Sequence, residues 1–565
     1  MCNYERNPKI KVSSRNEIIS GFEDVFVELS SNDKLILECY PGIDLKKIDT
    51  ELRRKFGNYE IINIEDYSLS VDKIQSKIID KITDDRVFGF MDKSEIEEYY
   101  DIDKIEKLKN NLSKSAKYIV YGFGASMVKN ETNTLVYSSI TRWEIQLRYR
   151  QGMCNWKCDN TGEENTKKFK RGYFFDWRVA DRLKKRVINS SCYFLDLTVN
   201  TKPKMISSEL YFKGMQAAIH TPFRLVPFFD SGVWGGQWMK NRFNLDPDKE
   251  NYAWSFDGVP EENSINLEFG NDYIQVPAID LVFNKPKELL GNRVHARFGD
   301  EFPIRFDFLD TVDGQNLSLQ VHPLTEYIQE KFGMNYTQDE SYYILDTKEN
   351  TDTHVYLGLK NNVNKEQFLN ELKVSQEQPY TFDVEKYINK IPCKKHDHFL
   401  IPAGTVHCSG KDTMVLEISA TPYIFTFKLF DWDRVNLDGK PRPIHLEHGA
   451  KVIDFNRDTD FVHGQLVNQF EQLSTVEERT GLHEREFIET RRFTSKESIV
   501  HKTDGSVNML NLVQGSSVVI SSPMNSFEDY VVHYAETFIV PANVSEYEII
   551  PSKDEEVMYI KAYVR

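Results

Sequence analysis

The chain has 565 residues, of which 40% are hydrophobic and 28% are charged, and its formal net charge at pH 7 is −16. This length predicts about three to four domains. The negative charge argues against a nucleic-acid-binding protein, because phosphate backbones demand a basic surface. The seven cysteines lack CxxC or paired-finger spacing, which indicates free thiols in a reducing compartment. Without a signal-peptide stretch or a run of about 18 apolar residues, we expect a cytoplasmic protein with no membrane partner.

Residues 1–205 alternate between strand-like and helix-like blocks, such as DKLILECYP, DLKKIDTELRRKF and KYIVYGFGAS. This alternation predicts an α/β domain with a parallel sheet. The segment CYPGIDLKK follows its strand where a nucleotide kinase has the phosphate loop, but no GxxxxGK(S/T) motif is present. Two later segments resemble the lid of P-loop nucleoside kinases: RWEIQLRYR (142–150) and FKRGYFFDWRVADRLKKR (169–186). We therefore expect a degenerate P-loop-kinase-like domain, and we favour a scaffold role over phosphotransfer.

The central part of the chain carries four side chains that could bind a metal ion. In the strand-like segment LSLQVHP, Gln320 and His322 share one face because alternate residues of a strand point the same way. Glu340 opens the next strand-like segment, ESYYILD, and His407 follows the turn at 402–404. Two imidazoles, one carboxylate and one amide oxygen match the ligand preference of zinc, and ligands from separate strands leave room for a substrate oxygen. The pattern predicts a catalytic zinc site.

These residues resemble the type I mannose-6-phosphate isomerase family, a cupin family whose zinc is held by a Q-x-H pair, a Glu on the next strand and a His after an AGT turn. Three segments extend the resemblance: FFDSGVWGGQWM (228–239), FPIRFDFLDTVDGQNLSLQVHP (302–323) and VLEISATPYIFTFKLFDWDRVNLDGKPRPIH (415–445). The resemblance implies a β-barrel cupin with inserted helices over 206–480, one Zn²⁺ per chain, and Arg434 as the catalytic arginine. It also implies an isomerase that converts mannose 6-phosphate to fructose 6-phosphate, and back, through an enediol.

Two positions beside the expected site depart from the family pattern. Family members often carry a lysine two residues before the metal-binding Glu, where this chain has Gln338, and a second lysine in a segment like KFLDA, where this chain has Asp307. Another group must therefore handle the phosphate or the protons. The candidates are Arg305, Lys428, Lys440, Arg442 and His445, of which we take Arg305, Lys440 and His445 as the predicted substrate-binding residues. The sequence does not identify the general base.

Some conspicuous side chains have a plainer interpretation. His396 and His398 resemble a chelating pair, but we expect them at a solvated entry to a strand. Trp234 would stack on a sugar or simply pack at a tight turn. Cys408 follows the expected ligand His407, yet a free cysteine is more often a small buried hydrophobe.

Residues 481–565 return to short strands. The segment FIVPANVSE parallels FLIPAGTVH of the central part and aligns Glu546 with His407, but no Q-x-H strand precedes it. His533 and Glu536 lie close together in the sequence without such a strand partner. We therefore expect a C-terminal cupin domain that binds no metal.

Two other functions remain open. Two histidines and one glutamate also resemble the facial triad of non-haem iron oxygenases, which would make the protein a different metal-cupin enzyme. The departures at Gln338 and Asp307 would also fit a non-catalytic zinc cupin that binds or senses a sugar phosphate. The sequence leaves the oligomeric state open.

Overall fold

The computed structural model describes residues 3–377, 382–420, 425–435, 442–481, 483–484, 486–552 and 555–565. The chain forms two compact units and passes between them more than once. We call them the α/β unit, made of Lys9–Ala218 and Ser264–Asn284, and the β-rich unit, made of Met1–Pro8, Ile219–Asn263 and Lys285–Arg565. The division into three domains at residues 205 and 480 stays a prediction. No helix in the described ranges is long and apolar enough to cross a membrane.

The first stretch of the α/β unit alternates strands with helices, as its sequence predicts. In chain order the elements are β1 (Ile10–Ser13), β2 (Ile19–Ser20), α1 (Phe22–Leu29), β3 (Lys34–Cys39), α2 (Leu45–Lys55), β4 (Glu60–Asn63), α3 (Val71–Ile82), α4 (Ile102–Leu112), β5 (Tyr118–Gly122), β6 (Thr134–Ser139), α5 (Arg142–Arg150), α6 (Asn165–Arg171), α7 (Trp177–Val187), β7 (Tyr193–Asp196), β8 (Lys204–Ser207) and α8 (Ser208–Ala218).

A seven-stranded sheet with the order β2-β8-β7-β6-β3-β5-β4 forms the centre of this unit. The five strands from β7 to β4 pair in parallel, and β8 and β2 add antiparallel edge strands. Leu35, Ile36 and Leu37 of β3 are fully buried, as expected for a strand covered on both faces by helices. The predicted α/β class is therefore present, whereas the kinase relationship stays a prediction.

The loop after β3 carries its own carboxylate at the beginning of α2. Asp44 Oδ1 accepts a hydrogen bond from the backbone N–H of Lys47 over 3.1 Å. An acidic cap satisfies a backbone donor at this helix end, which is where a phosphate group would otherwise bind. The capping agrees with the missing phosphate-loop motif, and the scaffold role stays a prediction.

The chain then enters the β-rich unit and returns once to the α/β unit. The elements of the β-rich unit on this path are β9 (Phe228–Asp230), α9 (Trp238–Arg242) and β10 (Trp254–Gly258). The returning segment contributes β11 (Ser264–Phe269), β12 (Asp272–Pro277) and α10 (Ile279–Asn284), and its strands form a small sheet in the order β1-β11-β12. Asp280 of α10 forms a buried ion pair with Lys184 of α7, which fastens the returning segment within the α/β unit.

The rest of the β-rich unit begins with the elements that surround the predicted metal ligands. They are α11 (Pro286–Leu290), α12 (Asn292–Phe298), β13 (Arg305–Asp310), β14 (Leu319–Val321), α13 (Thr325–Phe332), β15 (Asp339–Thr347), β16 (His354–Leu359), α14 (Lys365–Glu377), α15 (Val384–Tyr387), β17 (Ile388–Pro392), β18 (His398–Ile401), β19 (His407–Ser409), β20 (Thr413–Ala420), β21 (Phe427–Phe430), α16 (Leu446–Val452) and α17 (Thr459–Gln465).

Strands β9 to β21 of this unit make two antiparallel sheets, which we call the first sheet pair. The six-stranded sheet has the order β18-β15-β20-β13-β10-β9, and the five-stranded sheet has the order β17-β16-β19-β14-β21. Among the described strands, no pairing joins these sheets into a closed ring. The expected barrel is therefore an open pair of sheets. His398 at the beginning of β18 is fully buried, so the expectation of a solvated position was wrong for this residue.

The remaining strands make the second sheet pair. They are β22 (Glu471–Gln472), β23 (Glu477–Gly481), β24 (Ile488–Ser495), β25 (Ile499–Lys502), β26 (Asn508–Gln514), β27 (Ser517–Ser521), β28 (Tyr530–His533), β29 (Thr537–Val540), β30 (Glu546–Pro551) and β31 (Val557–Val564). A six-stranded sheet has the order β22-β23-β24-β31-β26-β29, and a four-stranded sheet has the order β25-β30-β27-β28. Leucine, valine, isoleucine and aromatic side chains form the core of this pair.

Candidate metal centre

The first sheet pair brings together the four side chains that the sequence singles out as metal ligands. Gln320 on β14 lies directly opposite His407 on β19, and His322 follows β14. Glu340 on β15 comes from the other sheet. Its Oε2 lies 3.1 Å from His322 Nε2 and its Oε1 lies 2.8 Å from His407 Nε2. Gln320 Nε2 lies 3.2 Å from His407 Nε2. The sheets therefore meet at one buried polar cluster.

The two imidazoles are oriented by backbone carbonyls. His322 Nδ1 lies 2.8 Å from the carbonyl oxygen of Phe425, and His407 Nδ1 lies 2.9 Å from that of Thr405. Since a carbonyl only accepts, each Nδ1 carries the hydrogen and donates it, and each Nε2 is directed towards Glu340. This arrangement is typical of metal-binding histidines.

The cluster fits a divalent cation. His322 Nε2 and Glu340 Oε1 are buried and have no hydrogen-bond partner in the part of the chain that the structure describes. Burial opposes ionisation of both residues, yet the Glu340 carboxylate raises the pKa of His322, and the two imidazoles hold the pKa of Glu340 well below its usual range. The three side chains thus attract positive charge, which a metal ion can supply in place of a proton.

Gln338 positions the Glu340 carboxylate. Its Nε2 donates to Glu340 Oε2 over 2.7 Å and to Glu417 Oε1 over 3.3 Å, while its Oε1 accepts from the backbone N–H of Phe425 over 3.3 Å. Phe425 is also the residue whose carbonyl orients His322. The glutamine that departs from the family pattern therefore bridges residues around the candidate metal ligands.

A cavity of about 210 Å³ lies beside the cluster, and Gln320 and Gln338 form part of its wall. Trp234 and Trp254 contribute an apolar part of the wall, with ring centroids 4.7 Å apart and ring planes at 77°. This is space for a small molecule that can reach Gln320, at the edge of the cluster.

The charged side chains of the cavity include a pair of carboxylates. Asp307 on β13 and Glu417 on β20 are directly opposite each other in the six-stranded sheet, and both are buried. Burial and the neighbouring Glu340 carboxylate raise the pKa of Asp307 to about 7, against the Arg305 guanidinium, whose Nε lies 3.6 Å from Asp307 Oδ1. Burial, Asp307 and Glu340 raise the pKa of Glu417 well above its usual range. Cationic groups also line the cavity, namely Arg305, Lys428 and Arg442.

The predicted catalytic residue, Arg434, is engaged elsewhere in the β-rich unit. Its NH1 donates to the carbonyl oxygen of Asn316 over 2.7 Å, and its NH2 donates to Asp431 Oδ1 over 2.7 Å. Arg434 is not one of the described residues that line the cavity. Its catalytic role stays a prediction, and the observed contacts favour a role through Asp431.

The predicted substrate-binding residues have three different positions. Arg305 lines the cavity. His445 is buried where α16 begins, and its backbone N–H donates to the carbonyl oxygen of Lys428 over 2.9 Å. Lys440 lies outside the described residues. Arg442, which the sequence leaves as an alternative, lines the cavity together with Lys428.

Glu417 and Asp431 are functional candidates that the sequence reasoning missed. In TMVLEISA, Glu417 and Ser419 alternate with apolar residues, and this period of two indicates a polar face that could have been recognised. Asp431 accepts from Ser318 Oγ over 2.6 Å and lies 3.1 Å from Arg442 Nε. No local pattern distinguishes Asp431 from an ordinary acidic loop residue, because its partners are distant in the chain.

The fold and the site together define a candidate metal-binding protein built on two antiparallel sheets. Its buried His-Glu-His group lies where the sheets meet, next to a polar cavity. Comparisons with known proteins show which families and structures the chain resembles. A family model described as "Domain of unknown function (DUF8485)" matches residues 21–220.

Several curated relatives match part of the chain. The chain is 28% identical over 234 residues to "Probable mannose-6-phosphate isomerase GmuF" of Bacillus subtilis, covering 41% of this chain and 68% of that protein. It is 27% identical to "Mannose-6-phosphate isomerase" of Streptococcus mutans, covering 40% of this chain and 65% of that protein. A third relative, "Putative mannose-6-phosphate isomerase YvyI" of Bacillus subtilis, is 24% identical, with 58% of this chain and 96% of that protein covered.

A solved structure shares the fold. The crystal structure of the mannose 6-phosphate isomerase from Bacillus subtilis superposes with a TM-score of 0.50 and 20% sequence identity, and the match covers 61% of this chain and 100% of that one. The chain is thus similar in sequence to proteins named mannose-6-phosphate isomerases and shares the fold of one of them.

Proposed function

We propose that the protein is a zinc-dependent aldose-ketose isomerase that interconverts mannose 6-phosphate and fructose 6-phosphate through an enediol. The observation that carries the proposal is a buried His-Glu-His group which, through Gln320, adjoins a cavity of about 210 Å³ that also contains cationic side chains. The names of the sequence relatives support the choice of reaction. We expect one Zn²⁺ per chain.

The donor set suits zinc. His322 and His407 would bind through Nε2, Glu340 through its carboxylate, and Gln320 through its amide oxygen, since the amide group occupies the same space when its oxygen and nitrogen are exchanged. When bound, the ion supplies a Lewis acid for the sugar oxygens at C1 and C2. The chain itself supplies the orientation of the ligands, through the carbonyls of Phe425 and Thr405 and through Gln338.

Lys428 and Arg442 would bind the phosphate group of the substrate. Both line the cavity, and an ammonium and a guanidinium are the side chains that proteins use to bind phosphate. Asp431 holds Arg442, because Arg442 Nε lies 3.1 Å from Asp431 Oδ2. Arg434 in turn donates to Asp431 over 2.7 Å. We therefore propose Arg434 as a positioning residue for the phosphate-binding arginine.

The test is an isomerase assay of the purified protein on mannose 6-phosphate, with fructose 6-phosphate detected and the metal content measured on the same sample. A chelator and the Glu340→Ala variant serve as controls. Activity that follows zinc and disappears in both controls supports the proposal. Zinc-loaded protein without turnover contradicts it and favours a sugar-phosphate-binding protein, whereas ferrous-dependent oxygen consumption would indicate an oxygenase.

A further inference from the structure

We infer that Asp307 and Glu417 form the subsite that binds the hydroxyl groups of the sugar, and that the phosphate group binds at the opposite wall, at Lys428 and Arg442. This inference rests on the proposed function, because it specifies how the same cavity would hold a sugar phosphate. It assigns a specificity role to two carboxylates.

The two walls of the cavity come from different sheets. Asp307 and Glu417 face each other across β13 and β20 of the six-stranded sheet. Lys428 lies on β21 of the five-stranded sheet, directly opposite Gln320, and Arg442 is held by Asp431, the residue that follows β21. One cavity is lined by all five of these side chains: Asp307, Glu417, Gln320, Lys428 and Arg442. The cavity therefore has an acidic wall and a basic wall.

The acidic wall has an unused hydrogen-bond acceptor, Asp307 Oδ1. Asp307 is 3% exposed and Glu417 is 7% exposed, yet Asp307 Oδ1 has no hydrogen-bond partner within the described ranges. Arg305 Nε lies 3.6 Å from that oxygen, which is too far for a hydrogen bond. Buried polar atoms are normally paired, and a carboxyl oxygen without a partner can accept a hydrogen bond. The matching ligand is a donor, and the hydroxyl groups of a sugar are donors.

The same wall disfavours a phosphate. The two acidic side chains offer a phosphate no positive charge and repel it when they are ionised. Arg305 does not offset them, because its guanidinium is also close to the acidic groups of Glu261, Glu262 and Glu417. The basic wall has the opposite character. Charge complementarity within the cavity therefore orients a sugar phosphate with its hydroxyl-bearing carbons towards the six-stranded sheet.

Removal of a hydroxyl group from the substrate tests the subsite. A site built to hydrogen-bond a hydroxyl discriminates strongly against an analogue that lacks it. We expect zinc-loaded wild-type protein to show a KM for 3-deoxy- or 4-deoxy-mannose 6-phosphate at least about tenfold above that for mannose 6-phosphate, because a buried acceptor would lose its hydrogen-bond partner. Asp307→Asn and Glu417→Gln, which keep the side-chain shape, should raise the KM for mannose 6-phosphate about tenfold and shrink the deoxy penalty.

The matched control is Asp397→Asn. Asp397 is a buried carboxylate of the same unit that accepts from the backbone N–H of Lys394 over 2.9 Å and from Asn468 over 3.0 Å, away from the cavity wall. This variant should leave both the KM and the deoxy penalty unchanged. If Asp307→Asn and Glu417→Gln fold, bind zinc and retain the wild-type KM and deoxy penalty, the subsite assignment is overturned.

Inorganic phosphate tests the orientation independently. As a competitive inhibitor it should bind at the basic wall, so that Arg442→Gln weakens inhibition about tenfold, whereas Asp307→Asn does not weaken it. The reverse pattern would overturn the assignment of the two walls.

A binding measurement separates failure of this inference from failure of the proposed function. Calorimetric titration of the zinc-loaded protein with mannitol 1-phosphate, a hexitol phosphate, does not depend on turnover. Binding that Asp307→Asn weakens, in a protein that does not isomerise mannose 6-phosphate, would retain the subsite and reject the isomerase. Turnover with an unchanged deoxy penalty would retain the isomerase and reject the subsite. If wild-type protein binds no hexitol phosphate, the inference is overturned.

Discussion

The two sheet pairs of the β-rich unit use one architecture for different interiors. Each combines a six-stranded antiparallel sheet with a smaller one. The first pair encloses the polar His-Glu-His group. In the second pair, by contrast, the core consists of side chains such as Leu512, Ile520 and Tyr559. The comparison teaches that the sheets supply rigid positions, and that the side chains on their inner faces decide between a site and a core.

A buried histidine of the second pair, His501, shows the difference. His501 stacks on Tyr547 with ring centroids 5.2 Å apart, and its Nε2 lies 2.7 Å from the hydroxyl group of Tyr559. Glu546, which aligns with the predicted ligand His407, instead forms an ion pair with Lys502 over 3.3 Å at the surface. The buried histidine of the second pair thus has aromatic partners, whereas His322 and His407 of the first pair lie beside a carboxylate. A second pair without metal stays a prediction.

The largest expected effect comes from removing the carboxylate of the first pair. Glu340→Ala should abolish zinc binding and lower kcat for mannose 6-phosphate about a thousandfold, because several kcal/mol of Lewis-acid stabilisation disappear. Zinc content and turnover of the same sample provide the measurement. Glu546→Ala, the aligned glutamate of the second pair, is the control and should change neither. Loss of zinc in the Glu546 variant would contradict the assignment of the metal site to the first sheet pair.

A core substitution in the second pair should act on stability alone. Leu512 is fully buried, so Leu512→Ala should lower the free energy of unfolding by about 3 kcal/mol. Urea denaturation followed by circular dichroism measures this change, and zinc per folded chain should stay constant. A lower zinc content per folded chain in this variant would show that the two sheet pairs do not act independently.

Gln338 tests how far the site extends beyond its ligands. Gln338→Ala removes the donor to Glu340 Oε2 and should weaken zinc binding about tenfold to a hundredfold, as outer partners of metal ligands typically do. Competition with a chromogenic chelator measures the affinity. Gln367→Ala, on an exposed helix of the same unit, is the control. An unchanged zinc affinity would mean that Gln338 contributes to packing and not to metal binding.

The smallest expected effect is a pH dependence in the second pair. Burial, and then the charge of Lys561, lower the pKa of His501 to about 3, so this histidine is neutral in the folded protein while its unfolded form titrates near pH 6.5. The unfolded state therefore binds more protons between pH 6.5 and 3. Stability from this residue is complete above pH 6.5 and falls by about 1.4 kcal/mol per pH unit as the pH is lowered through that window.

The urea midpoints at pH 7 and pH 5 measure this dependence. In His501→Phe the difference between the two midpoints should be smaller than in the wild type by roughly the contribution of one histidine. An equal difference in both proteins would mean that His501 does not titrate on unfolding in this range.

The sequence allowed prediction of those parts of the site that depend on local periodicity. Alternation along β14 places Gln320 and His322 on one face, and the AGT turn delivers His407 beside them. Glu417 shows the same periodicity and was recoverable in principle. The contacts of Arg434 with Asn316 and Asp431 were not predictable, because they depend on long-range packing, which a local pattern does not encode.

The fold, like the site, was predictable from the sequence where it depends on local patterns. Alternating blocks predicted the parallel sheet of the α/β unit, since each strand and helix has its own hydrophobic period. The return of the segment Ser264–Asn284 to the α/β unit was not predictable, because it depends on tertiary contacts such as the buried pair between Lys184 and Asp280.

The most direct test of the central claim is a zinc titration of chelator-treated protein with isomerisation of mannose 6-phosphate as the readout. The account predicts that activity is absent without metal, rises in proportion to added zinc and reaches its plateau at one ion per chain. Full activity of the metal-free protein would contradict it, as would a plateau at two ions or a protein that binds one zinc ion without any turnover.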